Sequence, residues 1–214
     1  MKMNDFSIER HRMVIEQIYG RGISEPRLLA AFESVPRHLF VLQNSRFAAY
    51  DDHPLPISFG QTISQPYIVA LMTSLLELKG GECVLEVGTG SGYQSAILGL
   101  LADEVHTIEL IPELAIHAEK LLGDLGYKKV KIHLGDGSLG WPQSAPFAGI
   151  LVTAAAPEVP QPLLEQLADN GRLILPIYNR WRGQSLKVLK RNNQEFVEQV
   201  VADVAFVPLR GKYG

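Results

Sequence analysis

The chain contains little that would indicate a secreted, membrane-embedded or nucleic-acid-binding protein. One cysteine in 214 residues excludes an internal disulfide framework and a zinc site built from several thiolates. No segment approaches the ~18 consecutive apolar residues of a membrane span, and the N-terminal residues 1–13 contain no apolar signal core. The net charge of −3 is far from the basic footprint of a dedicated nucleic-acid binder. These absences predict a cytoplasmic protein that binds neither membranes nor nucleic acid.

The composition is that of an ordinary globular protein. Apolar residues make up 46% and charged residues 20% of the chain, and the length suits one domain. We therefore expect a single domain over residues 1–214. Within it, residues 1–80 should hold N-terminal helices and a substrate loop, and residues 81–214 a cofactor-binding core and C-terminal strands.

The N-terminal part is predicted to be helical. A helix should begin after Ser24, whose hydroxyl can cap it, with Pro26 in its first turn and Pro36 as its stop. Residues 50–65 lack a helical period and predict a long loop of the kind that is often functional. Pro66 then predicts the start of another helix.

From residue 82 onward, strand-like and helix-like segments alternate. Such alternation predicts an α/β fold with a doubly wound, mostly parallel sheet. Two further strand-like segments separated by a polar turn predict a C-terminal antiparallel hairpin. The strands are expected at 83–87, 105–109, 130–134, 148–152, 171–177, 185–190 and 196–207, and the helices at 92–101, 112–126 and 160–168.

The first of these strands runs directly into three alternating glycines, Gly88, Gly90 and Gly92. Glycine allows tight turns and close approach of a ligand to the backbone, and this loop of a doubly wound fold lies where ligands bind. The spacing is G-x-G-x-G, whereas the dinucleotide fingerprint is G-x-G-x-x-G. The pattern therefore favours a nucleoside ligand without a pyrophosphate over NAD, although a purely structural turn is the simpler alternative.

Three acidic residues accompany the glycine loop. Glu109 ends the second strand, where a carboxylate can accept hydrogen bonds from ribose hydroxyls. Asp136 follows the third strand, where it could meet an adenine edge or simply form a turn. Glu86 lies inside the first strand, and a buried acid needs partners. We expect it to order the loop or to meet a ligand ammonium group.

Several motifs resemble those of known enzymes. The segments VLEVGTGSGY, IELIPEL and GDG are similar to the cofactor motifs of class I S-adenosylmethionine-dependent methyltransferases. More narrowly, five segments resemble the protein-L-isoaspartate (D-aspartate) O-methyltransferase family, and GQTISQP and VTAAAPEVP are its most specific marks. These segments are VPRHLFV (35–41), LPISFGQTISQPYIVALM (55–72), VTAAAPEVP (152–160), GRLILPI (171–177) and FVPL (206–209).

The resemblance implies a protein-repair enzyme. Members transfer methyl from S-adenosylmethionine, leaving S-adenosylhomocysteine, to the free carboxylate of isoaspartyl residues in damaged proteins. The methyl ester closes to a succinimide, which can open to normal aspartate. The implied partners are isoaspartyl-containing peptides and proteins, with D-aspartyl residues as an open possibility, and we expect a monomer.

Ser64 is the catalytic candidate that the resemblance implies. The serine of the family's Q-T-I-S segment is assigned to the active site, and its hydroxyl can orient the acceptor carboxylate. The alternative is that Ser64 only caps the helix that begins at Pro66.

The remaining site residues divide into a cofactor set and a substrate set, and we expect no metal. Small side chains after the fourth strand should leave backbone groups free to pair with an extended peptide. The predicted cofactor contacts are Thr62, Ile63, Glu86, Gly88, Thr89, Gly90, Gly92, Glu109, Leu110, Asp136 and Gly137. The predicted substrate contacts are Leu55, Ile57, Thr153, Ala154, Ala155, Val207 and Leu209.

Two other functions are compatible with part of the pattern. A methyltransferase acting on a small molecule or RNA would keep the glycine loop, Glu109 and Asp136, but would leave the GQTIS and TAAAPEVP segments without a role. A dehydrogenase-like or non-enzymatic nucleotide binder would bind NAD, which the glycine spacing disfavours.

Overall fold

The structure is a computed structural model that describes residues 6–179 and 183–214. Trp181, which the sequence places in a loop after the fifth predicted strand, lies outside the described residues. In the described part of the chain, no helix is both long enough and apolar enough to cross a membrane.

The N-terminal part is largely helical, as predicted, and it ends in a small hairpin before the third α-helix. Short 3₁₀ turns connect these elements, and a π-helical segment, Met13–Ile18, continues the first helix. The elements are α1 (Ser7–Arg12), α2 (Pro26–Ser34), β1 (Leu55–Pro56), β2 (Thr62–Ile63) and α3 (Pro66–Leu75).

The rest of the described chain alternates between strands and helices and then ends in strands. Every strand and helix expected there is present, with ends that differ by a few residues. The elements are β3 (Cys83–Val87), α4 (Tyr93–Leu101), β4 (Glu104–Glu109), α5 (Pro112–Asp124), β5 (Val130–Leu134), β6 (Phe147–Val152), α6 (Gln161–Glu165), β7 (Leu167–Asn179), β8 (Gly183–Asn192) and β9 (Glu195–Val204).

Seven strands form one sheet in the order β5-β4-β3-β6-β7-β8-β9. The first five strands of that order pair in parallel, whereas β7–β8 and β8–β9 pair antiparallel. The predicted α/β fold with a C-terminal antiparallel hairpin is confirmed. The order of the last two strands, which the sequence leaves open, is also settled: β8 lies next to β7, and β9 forms the edge.

The central strand β3 is buried on both faces, which is why its residues are continuously apolar apart from Glu86. Adjacent side chains on a strand point to opposite faces. Val84 belongs to the same hydrophobic cluster as Met72 of α3, and Leu85 belongs to the cluster that contains Leu163 of α6. Full burial of a side chain such as Leu85 contributes about 1.5–3 kcal/mol, so helices on both faces hold this strand in place.

Two local expectations are wrong. Glu25, not Ser24, caps α2, because it directly precedes Pro26 and its carboxylate accepts from the backbone N–H groups of Arg27 at 3.1 Å and Leu28 at 2.5 Å. The last predicted helix covers residues 160–168, but α6 ends at Glu165 because β7 begins at Leu167 and pairs there with Phe147. Pairing within the sheet thus overrides the local helical pattern.

Candidate active site

A cleft opens at the carboxyl ends of β3, β4 and β6, the usual place for a ligand in an open α/β sheet. One side is formed by the glycine loop (residues 88–92) and the ends of β3 and β4. The other side is formed by the β1–β2 hairpin, the end of β6 and the C-terminal segment (residues 207–210). The lining residues are Gln61, Thr62, Ile63, Ser64, Val69, Met72, Glu86, Val87, Gly88, Thr89, Gly90, Ser91, Tyr93, Gln94, Ile108, Glu109, Leu110, Ile111, Gly137, Thr153, Ala154, Val207, Pro208, Leu209 and Arg210.

The glycine loop has a backbone that only glycine adopts easily. Gly88, Gly90 and Gly92 have φ values of 96°, 54° and 87°, all in the region that side chains disfavour. A Cβ on Gly88 would lie 2.3 Å from Oγ1 of Thr153. That hydroxyl donates to the carbonyl of Gly88 at 2.7 Å, so the end of β6 holds the loop against the sheet.

Glu109 joins the glycine loop to the neighbouring strand. Its Oε2 accepts from the N–H of Gly90 at 2.8 Å, and its Oε1 accepts from the N–H of Ile111 at 3.0 Å. The side chain is buried yet lines the cleft. A carboxylate has about four acceptor positions, so each oxygen keeps capacity for a ligand hydroxyl in addition to ordering the loop.

Glu86 places a carboxyl group with an unpaired oxygen beside the cleft. The hydroxyl of Ser95 donates to its Oε2, whereas Oε1 is buried and has no hydrogen-bond partner among the described residues. Burial raises the pKa of Glu86 to about 8, and the hydrogen bond from Ser95 opposes that rise. An unpaired, buried acidic oxygen is suited to a cationic ligand group, because an ammonium would complete its hydrogen bonding.

Asp136 lies beside the cleft rather than in its lining. Its Oδ1 accepts from the N–H and the hydroxyl of Ser138 at 2.9 and 2.7 Å, and its Oδ2 accepts from the N–H of Lys212 at 2.8 Å. These bonds match the turn-forming alternative and also fasten the C-terminal segment. Gly137 does line the cleft, and contact between Asp136 and an adenine stays a prediction.

Ser64 lines the cleft between β2 and α3, and its side chain does not cap the helix. The N-cap of α3 is Gln65, and no side chain accepts from the first turn there. The capping alternative for Ser64 is therefore not realised. Instead, the carbonyl of Ser64 accepts a hydrogen bond from Nη2 of Arg37 at 2.7 Å.

The predicted substrate residues are only partly brought together. Thr153, Ala154, Val207 and Leu209 line the cleft. Ala155 does not offer its backbone to a peptide, because its N–H donates to the carbonyl of Val207 and its carbonyl accepts from the N–H of Leu209, both at 2.8 Å. The expected free backbone groups at Ala155 are thus already used within the chain.

Leu55 and Ile57 also lie away from the cleft lining. Both belong to the hydrophobic core of the N-terminal part. Leu55 pairs with Ile63 across the hairpin, and Cδ1 of Ile57 lies 3.7 Å from the position of a Cβ on Gly90. The two side chains therefore stabilise the β1–β2 hairpin and the glycine loop from the side of the hydrophobic core.

The sequence analysis assigned no role to several residues at the site, of which three carry polar or charged groups relevant to it. Gln94 lines the cleft and donates to the hydroxyl of Thr73 at 2.9 Å. Arg210 follows the FVPL segment and brings a positive charge to the lining. Arg37 stands in VPRHLFV, a segment noted for its resemblance but given no role, and only its contacts reveal its connection to Ser64.

A cluster of potential metal-binding side chains lies away from the cleft. Donor atoms of Cys83, Glu104 and His106 lie within 4.8 Å of one another, at the amino ends of β3 and β4 rather than at the cleft. Glu104 already pairs with Lys131 and with His106. This cluster takes no part in the cleft.

The parallel sheet with helices on both faces, its glycine loop and the acidic residues beside it define a class I methyltransferase. Residues 9–214 match the family described as Protein-L-isoaspartate(D-aspartate) O-methyltransferase. The chain belongs to this family. It is an S-adenosylmethionine-dependent enzyme that methylates isoaspartyl residues of proteins.

Close relatives extend over the whole chain. A protein-L-isoaspartate O-methyltransferase of Trichlorobacter lovleyi is 53% identical over 212 residues, covering 99% of this chain and 98% of the relative. One from Methanoregula boonei is 54% identical over 208 residues, covering 97% and 95%.

Solved structures give the same family. A protein-L-isoaspartate O-methyltransferase superposes with a TM-score of 0.86 and 27% identity, covering 96% of this chain and 67% of the other. A second, from Plasmodium falciparum in complex with S-adenosyl-L-homocysteine, has a TM-score of 0.81 and 27% identity, covering 94% and 98%.

The residues present in the cleft fit S-adenosylmethionine. The unpaired Oε1 of Glu86 suits its ammonium group, and the free acceptor positions of Glu109 suit ribose hydroxyls. Gly88 and Gly90 both line the cleft and carry no side chain, so a ligand can lie close against the backbone of the loop.

Proposed function

We propose that this cleft aligns the acceptor carboxylate of an isoaspartyl residue with the methyl donor, and that Ser64 orients that carboxylate. The observation that carries this proposal is the position of Ser64. It lines the same cleft as Glu86 and Glu109, and α3 does not use its side chain as a cap.

The reaction requires alignment more than acid–base chemistry. An isoaspartyl α-carboxylate ionises near pH ~3.5, so it is already a nucleophile at neutral pH. S-adenosylmethionine, when bound, supplies a methyl group activated by a sulfonium. The chain's own residues have to hold the acceptor in line and exclude water, because transfer neutralises one positive and one negative charge.

The cofactor roles follow from the geometry of the loop. We propose that Glu109 accepts from the ribose hydroxyls and that the unpaired oxygen of Glu86 accepts from the ammonium. Gly88 and Gly90 provide the close backbone approach. Thr62, Ile63, Thr89, Leu110 and Gly137 are further proposed cofactor contacts, and all five lie in the cleft lining, whereas the predicted contacts Gly92 and Asp136 lie outside it.

The proposed acceptor side comprises Thr153, Ala154, Val207 and Leu209 in addition to Ser64. Apolar side chains from the C-terminal segment form one wall, and the hairpin forms another. Such walls exclude water from the reacting groups, which strengthens the electrostatic interactions inside the cleft. Because the family name includes D-aspartate, we extend the proposal to D-aspartyl acceptors.

We further propose that residues 1–214 act as one domain and as a monomer in the cytoplasm. The N-terminal helices share a hydrophobic core with α4 and α5, which supports the single domain with 1–80 and 81–214 as its two parts. Cys83 is a free thiol, which suits a reducing compartment. Light scattering of the purified chain would check the monomer.

One assay tests the substrate assignment. Radiolabelled methyl transfer is measured for an isoaspartyl peptide, its normal aspartyl twin and its D-aspartyl twin. We expect labelling of the isoaspartyl peptide and none of the aspartyl twin. Equal labelling of both would exclude repair specificity, and an unlabelled D-aspartyl peptide would restrict the substrate to isoaspartate.

Calorimetry tests the cofactor roles. S-adenosylmethionine and S-adenosylhomocysteine should each bind the chain, and NAD should not. Tighter binding of NAD would contradict the proposed fit of the glycine loop.

A further inference from the structure

Arg37 is a fully buried arginine beside the acceptor wall of the cleft. None of its surface is exposed, and it ranks first by volume among the fully buried side chains of the described residues. Burial of a charged group costs several kcal/mol unless hydrogen bonds or other charges compensate. A fold that places an arginine here therefore needs its guanidinium group for something specific.

The guanidinium group spans two backbone segments. Nε donates to the carbonyl of Ala49 at 2.7 Å, and Nη2 donates to the carbonyl of Ser64 at 2.7 Å. The planar group holds its donors in a fixed fork. The separation between the two carbonyls is therefore set by one rigid side chain, and the backbone of Ser64 cannot shift without breaking a buried hydrogen bond.

The same group also contacts the cofactor side. Its central carbon lies 4.8 Å from the ring centroid of Tyr93, and Tyr93 is the first residue of α4 and lines the cleft. Arg37 thus links the segment that carries Ser64 to the helix that follows the glycine loop. A cation over an aromatic face is attracted by it, more strongly where water is excluded.

The charge of Arg37 is as relevant as its shape. The acceptor is a carboxylate, whereas the cleft lining also includes the acidic residues Glu86 and Glu109. A positive charge bonded to the carbonyl of Ser64 makes the acceptor position more favourable to an anion, and low-dielectric surroundings strengthen this effect. Burial lowers the pKa of Arg37 to about 10, with Tyr93 and Tyr50 opposing the fall, so the group stays charged at neutral pH.

We propose that Arg37 is a positioning residue for methyl transfer: it fixes Ser64 relative to the cofactor helix and supplies positive charge behind the acceptor carboxylate. This inference rests on the proposed role of Ser64. It gives the VPRHLFV segment a function that its sequence alone does not reveal.

Two substitutions separate shape from charge. Arg37→Lys keeps the charge but loses the planar group that donates to two carbonyls at once. We expect kcat to fall about 10-fold and cofactor affinity to stay within twofold of the parent value. Arg37→Gln keeps a donor but loses the charge, and we expect KM for the isoaspartyl peptide to rise about 10-fold in addition. Both variants are assayed with saturating S-adenosylmethionine, and cofactor binding is measured by calorimetry with S-adenosylhomocysteine.

Arg27 provides a control at an exposed position. It also donates to two backbone carbonyls, those of Leu101 at 2.8 Å and Leu78 at 3.4 Å, but unlike Ser64 neither of these residues lines the cleft. Arg27→Lys and Arg27→Gln should lower thermal stability and leave kcat and KM within twofold. Arg37 variants that behave like these controls would show that Arg37 is only structural.

A double variant tests whether Arg37 acts through Ser64. If it does, Ser64→Ala combined with Arg37→Lys should be about as slow as the slower single variant. Fully additive losses would overturn the proposal. If Ser64→Ala alone turns over at the parent rate, the proposed role of Ser64 is wrong. That result does not depend on any Arg37 variant, so it distinguishes failure of the proposed function from failure of the Arg37 proposal.

Folding is checked before kinetics. Saturating S-adenosylhomocysteine stabilises the folded state of any variant that can bind it. If Arg37→Lys does not bind S-adenosylhomocysteine under these conditions, Arg37 is needed for the fold itself and the positioning role is rejected.

Discussion

The two sides of the cleft are built differently. The cofactor side comes from one continuous unit, β3, the glycine loop and α4, with Glu109 from the adjacent strand bonded to the N–H of Gly90. The acceptor side is assembled from Ser64, the end of β6 and the C-terminal segment, and the last two meet through bonds such as that between Ala155 and Val207. Changes to the first side should therefore act on cofactor binding, and changes to the second should act on turnover.

The largest expected effect comes from adding a side chain to the glycine loop. In Gly88→Ala the new Cβ would lie 2.3 Å from Oγ1 of Thr153, at a φ of 96°. The loop would have to move, and left-handed backbone strain costs about 1–3 kcal/mol. Calorimetry should show cofactor affinity reduced by more than about 100-fold.

Gly123 in α5 is the matched control for that substitution. A Cβ there would meet nothing within 4 Å, so Gly123→Ala should leave binding intact and raise helix stability by roughly 0.5–1 kcal/mol. Equal binding by both alanine variants would mean that the loop geometry does not hold the cofactor.

Removal of the Glu109 carboxylate should also act on binding. Glu109→Ala loses hydrogen bonds to a charged group, worth roughly 1.5–3 kcal/mol, and it frees the N–H groups of Gly90 and Ile111. Titration with S-adenosylhomocysteine should show the loss. The exposed Glu113→Ala serves as control, and an unchanged affinity for Glu109→Ala would remove its ribose role.

Ser64 tests the acceptor side. Ser64→Ala should slow methyl transfer ~10- to 100-fold, about 1.4–2.7 kcal/mol, with little change in cofactor affinity or in stability, because Ser64 does not cap α3. Ser64→Asp should be slower still, since its charge repels the acceptor carboxylate. Radiolabel transfer to an isoaspartyl peptide measures both variants.

The exposed Ser58→Ala, in the same hairpin, should retain parent activity. A Ser64→Asp variant that binds cofactor and transfers methyl at the parent rate would show that the catalytic assignment is wrong. A loss of cofactor affinity without a loss of turnover would mean that Ser64 belongs to the cofactor side.

The last expected effect on the cofactor side is a pH dependence of stability rather than of binding or turnover. Burial raises the pKa of Glu86 from 4.5 to about 8, so in this window the folded state retains a proton that the unfolded chain has released. The contribution of Glu86 to the free energy of unfolding therefore falls as the pH rises from about 4.5 to about 8. Glu86→Gln should remove this slope in denaturant titrations without ligand.

Glu113→Gln, at an exposed position, should leave the slope in place. If the free energy of unfolding changes with pH in the same way for the parent and for Glu86→Gln, Glu86 is ionised in the folded state across the whole range from about pH 4.5 to about pH 8.

Much of the cofactor side could be predicted from the sequence because its signals are local. The strand Cys83–Val87 and the positive φ values of Gly88, Gly90 and Gly92 follow from apolar continuity and from glycine itself. The turn between β8 and β9 is similarly marked by polar residues. In each case the residues that make the pattern are also the ones that adopt the structure.

The acceptor side was less predictable because it depends on partners far along the chain. Ala155 has the small side chain expected for a peptide site, yet its backbone N–H and carbonyl are already hydrogen-bonded to Val207 and Leu209. Leu55 and Ile57 are apolar and close to the motif, yet they are core residues. Small or apolar character does not reveal which partner a residue will find.

The sequence by itself determined the alternation of strands and helices, the glycine loop and the acids at the strand ends. Periodicity and backbone preference act over a few residues, and that is enough to specify these features. Only the tertiary structure decided the order of the last two strands, the use of Asp136 to hold Lys212 and the bond from Arg37 to Ser64. These depend on which distant groups become neighbours when the core packs, because a buried donor or acceptor must find its partner wherever the fold brings one within reach.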